Sequence, residues 1–131
     1  MKVFLDACVV IYSVESASKQ GSHVAKLIAS HLKTADFYLT ELVRLECRVL
    51  PLRANDTVLL AEYQNFFAKT TITGLSTQIF EHATELRAKH GLKTADALHL
   101  AAALALGCDE FWTNDGRFAK AAANIKVRRV S

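Results

Sequence analysis

Chain breakers are scarce in these 131 residues, which include one proline and five glycines. That scarcity excludes collagen-like, linker-like and loop-dominated architectures and favours long, uninterrupted helices. Cysteine is sparse as well. Cys8, Cys47 and Cys108 are odd in number, far apart and without a Cys-x-x-Cys pair, which excludes a disulfide framework or a zinc knuckle. Each lies beside apolar residues and reads as reduced core packing. No apolar run approaches the ~20 residues of a membrane span; the longest surrounds Ala101–Gly107. Asp6 interrupts the apolar stretch after Lys2, so no signal peptide is expected. Strong charge of one sign is missing too. Sixteen Lys and Arg against 13 Asp and Glu leave +3, which permits an anionic partner without requiring one. The expectation is a soluble, cytoplasmic protein.

What is present is apolar side chain, 51% of the sequence, enough for one continuous core in a single domain over residues 1–131. Lys2–Leu5 reads as a strand and Cys8–Val14 as a helix. Val24, Leu27, Ile28 and Leu32 make a helical stripe within Ser18–Lys33. Phe37–Leu39 reads as a second strand, and Thr40 as the N-cap of a helix running towards Pro51 with Glu41 in its first turn. Asn55 or Asp56 caps a helix to about Lys69, and Thr71–Thr73 suits a third strand. Ser76–His90 is amphipathic and closes at Gly91. Thr94 is expected to cap Ala95–Leu106, whose alanine and leucine surface marks the most buried helix. Glu110–Thr113 reads as a fourth strand, then a turn and short helix, and Lys126–Val130 as an edge strand. Strands separated by helices predict a parallel sheet in an α/β fold.

Four acids stand where a carboxylate needs explaining. Asp6 ends the first strand, at the sheet edge where α/β folds bind ligands. At about 100° per residue, Leu42, Val43, Leu45, Val49 and Leu50 form one apolar arc that contains Glu46. An unpaired buried carboxylate costs several kcal/mol, so Glu46 requires a cation, such as an arginine, or a cleft. Glu41 falls on the solvated side near Arg44 and Arg48. Asp96 is the only charged residue between Thr94 and Gly107, and Asp115 follows an apolar strand as Asp6 does. Each has an ordinary alternative as a cap or turn residue. Together they predict a carboxylate cluster, which requires cations or raised pKa values. An all-oxygen donor set suits magnesium or manganese rather than zinc.

These residues, in this order, resemble the PIN-domain family, and within it the VapC-like toxin ribonucleases of toxin–antitoxin pairs. The matching pieces are Val3–Asp6 with Val9–Tyr12, Thr40–Glu46, Thr94–Ala101 and Phe111–Phe118, so the likeness spans essentially the whole chain. It implies a three-layer α/β/α sandwich around a parallel sheet, with Asp6, Glu46, Asp96 and Asp115 as the catalytic, metal-binding acids. Asp6 and Asp96 would be the main magnesium ligands, and Thr113 the hydroxyl beside the last acid. The implied function is a magnesium-dependent endoribonuclease, the toxin partner of a protein antitoxin and a homodimer. Ala7-Cys8 departs from the family's usual Thr-Asn after the first acid. That departure sustains an alternative, a catalytically degenerate PIN-like domain that binds RNA or protein. A phospho-acceptor domain is disfavoured, since it needs paired acids near the first strand.

Phosphate contacts are sought among Lys93, Arg117, Lys120, Lys126, Arg128 and Arg129. His99 reads as a packed helix residue, and Tyr12, Trp112 and Phe118 as core rather than base-stacking aromatics.

Overall fold

The computed structural model describes residues 1–130. The chain runs β1 (Lys2–Leu5), α1 (Ala7–Val14), α2 (Lys19–His31), β2 (Asp36–Thr40), α3 (Glu41–Arg53) and α4 (Thr57–Phe67). It continues through β3 (Thr71–Thr73), α5 (Thr77–His90), α6 (Thr94–Ala105), β4 (Glu110–Thr113), a 3-10 helix (Gly116–Lys120) and β5 (Lys126–Arg129). All strand pairs are parallel, in the order β3-β2-β1-β4-β5. Among the described residues, no helix is long and apolar enough to cross a membrane.

Alternation along the central strands builds the two faces. Val3, Leu5, Phe37, Leu39 and Trp112 pack with α1 to α4. Phe4 and Phe111 turn the other way, onto α5, α6 and the 3-10 helix. The result is the expected three-layer sandwich. As α6 reads in sequence, it is buried without a break from Ala97 to Ala103, and β5 lies at a sheet edge.

Three local expectations need correction. Thr94 is the first residue of α6 rather than its cap; Lys93 holds the cap position without a side-chain hydrogen bond. Helix α3 continues through Pro51 to Arg53, because a proline in the last turn removes only one ladder bond and its ring is buried there. The apolar arc of α3 is also misplaced. Val43, Cys47 and Pro51 are its buried residues, whereas Leu45, Val49, Leu50 and Leu52 are exposed.

The topology creates a crevice. The chain leaves β1 for β2 on one side and later returns to β4 on the other. Beyond the carboxyl ends of β1 and β4 the connections diverge, leaving the opening where α/β sheets bind ligands. Asp6 follows β1 directly, and its N–H donates to Trp112 O at 3.1 Å. That bond fixes Asp6 beside Thr113 at the end of β4.

At Gly21, α2 passes close to the last turn of α1 and the residues after it. A Cβ there would stand 2.8 Å from Tyr12 O and 2.9 Å from Ser16 Cα, both backbone atoms. Gly21→Ala is expected to destabilise the fold by roughly 1–3 kcal/mol through overpacking, despite alanine's better helix propensity. Urea unfolding with an unchanged or raised midpoint would contradict this packing.

Candidate functional site

The four acids arrive from four elements. Asp6 caps α1, its Oδ1 accepting from Ala7 N at 2.8 Å. Its Oδ2 accepts from Thr113 Oγ1 at 2.9 Å and, more weakly, from Cys8 Sγ at 3.6 Å. The capping alternative and the cleft placement therefore both hold for this residue. Thr113 is fully buried, and its hydroxyl oxygen also accepts from Asp115 N at 3.1 Å. One β4 threonine thus ties the first acid to the backbone of the last.

Glu46 does have a partner, but a histidine rather than an arginine. His99 Nε2 lies 2.8 Å from Glu46 Oε1 and 3.9 Å from Asp6 Oδ1. A carboxylate only accepts, so Nε2 carries the shared proton. His99 is 1% exposed, and among the described residues its buried Nδ1 has no hydrogen-bond partner. The sequence reading of His99 as a packed helix residue is right about burial and misses its place between two site acids. The available signal was spacing: His99 is three residues from Asp96, on the same side of α6.

Asp115 caps the 3-10 helix, accepting from Arg117 N at 2.9 Å, and Arg117 Nε donates to its other oxygen at 2.7 Å. The Arg117 guanidinium holds the Asp115 carboxyl below its ordinary pKa, first through this side-chain bond. Asp96 is different. Among the described residues it has no hydrogen-bond donor, and burial pushes its pKa up, followed by the neighbouring charges of Asp6 and Asp115; His99 and Arg117 oppose the rise.

All four acids line one open cleft of about 420 Å³, with Cys8, Lys93 and Asn114 also in its wall. Cys8 is half-buried and packs against the core as expected, and because α1 begins at the sheet edge it also borders the cleft. Burial and the Asp6 charge push its thiol up to about 12. Trp112 and Phe118 are buried, as their core reading requires. Arg128 is committed elsewhere, its guanidinium 5.1 Å from the Trp112 ring centre.

A PIN domain family model matches residues 3–124. The chain belongs to the PIN domain family. No curated protein matches it in sequence, but solved PIN-domain structures match its fold. VapBC2 from Rickettsia felis, bound to a promoter DNA fragment, superposes with a TM-score of 0.81 at 16% identity, covering 98% of both chains. VapC20 of Mycobacterium tuberculosis, a Sarcin-Ricin loop cleaving toxin, gives 0.77 at 19% identity over 96% of this chain and 98% of that one. A toxin–antitoxin complex from Klebsiella pneumoniae gives 0.71 at 19%, over 89% and 90%.

The cleft's donor set fits a hard divalent cation. Its acids are oxygen donors, and among the described residues Asp96 has no hydrogen-bond donor of its own. Among the described residues, no group of three or more His, Cys, Asp or Glu side chains is placed to hold a metal ion. Acids spread along a cleft in this way suit, at most, an ion held by one or two carboxylates and completed by water and phosphate.

The folded-state pKa of Asp96 lies above its ordinary value, so folding disfavours its ionised form. Asp96 therefore lowers stability above that folded pKa, and the loss vanishes below the unfolded pKa. Asp96→Asn is expected to raise the thermal midpoint at neutral pH in chelator, by an increment that shrinks on acidification. Calorimetry showing a lowered midpoint at neutral pH would contradict the crowding at Asp96.

Proposed function

We propose that this PIN domain is a divalent-metal-dependent endoribonuclease, with magnesium or manganese as cofactor, and the toxin of a toxin–antitoxin pair. One observation carries the reading: Asp6, Glu46, Asp96 and Asp115 line one cleft at the switch point of the sheet. The likeness in fold to a toxin that cleaves the Sarcin-Ricin loop supports RNA as the substrate. A protein antitoxin covering the acidic cleft with an inserted arginine or lysine belongs to the same reading, as does a homodimer. The exposed Leu45, Val49, Leu50 and Leu52 of α3 supply apolar surface for a protein contact.

In this mechanism Asp6 and Asp96 would hold the ion, with Glu46 and Asp115 completing its shell directly or through water. When bound, the cation acidifies an attacking water and stabilises negative charge developing on the phosphate. Thr113 and the Ala7 amide fix the orientation of Asp6, so this ligand is held in place before an ion binds. Glu46 has one oxygen committed to His99. The other is left to orient the water in line with the phosphorus or accept its proton. Asp115 is available to the ion once Arg117 turns outward, which an exposed ion pair permits at small cost. Arg117 can then meet the phosphate.

The test is cleavage of a mixed structured-RNA substrate with magnesium, manganese or chelator. Metal-dependent cleavage is expected, and Asp96→Asn should reduce it by about a hundredfold or more. A folded, antitoxin-free protein that cuts no RNA with either metal would contradict the proposal.

A further inference from the structure

The acidic cleft does not end at its acids. It shares Lys93, Asp96, Asp115, Arg117 and Phe118 with an adjoining cavity of about 370 Å³. That cavity in turn shares His90 and Lys120 with a third, also about 370 Å³, bordered by His82, Glu85 and Lys89. The three form one trough from the sheet edge along the end of α5 and the 3-10 helix. Beyond the site acids its sign reverses: Lys89, Lys93 and Lys120 are exposed and Glu85 is the one carboxylate. Among the described residues, none of the three lysines makes a salt bridge. Gly91 and Gly116 line the middle cavity, and nothing stands within 4 Å of where their Cβ atoms would be.

We propose that this trough is the track for the RNA strand on one side of the scissile phosphate, with Lys89, Lys93 and Lys120 as its phosphate contacts. The inference rests on the ribonuclease reading and specifies where its substrate lies. The glycine-lined middle leaves room for a sugar–phosphate chain to lie close to the protein backbone. α6 opens there without a side-chain cap, so its first-turn N–H groups add partial positive charge. An acidic protein segment fits less well. Following the same trough, it would bring carboxylates against Asp96 and Asp115 without the exposed lysines' preference for phosphate being used.

Binding is measured by fluorescence anisotropy with labelled single-stranded oligouridine, in the Asp96→Asn background so that bound RNA is not cut. At 0.1 M salt each lost phosphate contact should weaken binding about fivefold, and Lys89→Ser/Lys93→Ser/Lys120→Ser about a hundredfold. The triple variant should also lower the slope of log K against log salt by about 2. Gly116→Leu should weaken binding by occupying the track while leaving the slope unchanged. Lys26→Ser/Lys33→Ser on and beside α2 should change neither, and circular dichroism confirms folding of every variant. If the triple variant binds RNA with unchanged affinity and slope, the track is wrong. The same holds if it loses only a protein antitoxin. In both cases metal-dependent cleavage by the unsubstituted protein would leave the ribonuclease reading standing. If the unsubstituted protein neither binds nor cuts RNA, both fall together.

Discussion

Gathering carboxylates at one edge of a sheet is expensive, and the structure around the cleft is organised by that expense. Two unit charges 4 Å apart repel by about 4 kcal/mol at an effective dielectric of 20. Three of the four acids offset this with internal donors. Asp6 takes the Ala7 amide and the Thr113 hydroxyl, Glu46 takes His99, and Asp115 takes Arg117. Asp96 receives none, and its pKa rises through burial and repulsion. Among the described residues, three acids thus have hydrogen-bond donors and one, Asp96, has none, which leaves it open to a ligand that brings positive charge.

The donors are as much a product of the topology as the acids are. Because β1 and β4 are neighbours, Thr113 reaches Asp6 from the adjacent strand. Because α3 and α6 approach the same edge, Glu46 and His99 meet across 53 positions of sequence. His99 is buried and, among the described residues, its Nδ1 has no hydrogen-bond partner, a cost of about 1–3 kcal/mol in general. That the fold carries this cost beside two site acids fits a site that sacrifices stability for charge placement.

Much of this was legible in the sequence because it follows from local rules. Asp6 and Asp115 end apolar strands, and a parallel sheet brings such ends to one edge. Asp96 stands alone on an otherwise apolar helix. The need of Glu46 for a partner was also legible, although the apolar arc read from periodicity is not the face that α3 buries. Val43 and Cys47 turned out to be buried while Leu45, Val49 and Leu50 were exposed. Periodicity shows that a helix has an apolar side, but packing against α1, α4 and α6 decides which residues it covers. The identity of the partner was beyond reach for the same reason, since the pairing of Glu46 with His99 exists only once two helices have docked. Cys8 reads as a core residue by its neighbours, and only the position of α1 at the sheet edge also brings it to the cleft.

The central claim is that these four acids form one cation site. Paramagnetic broadening of backbone amide signals by Mn²⁺, titrated into the folded protein at substoichiometric levels, tests it most directly. The account predicts that amides at Asp6, Ala7, Glu46, Asp96 and Asp115 broaden together and first, and recover when excess Mg²⁺ is added. Broadening that starts around His82, Glu85 and His90, or that reaches Asp6 without Asp96, would contradict it.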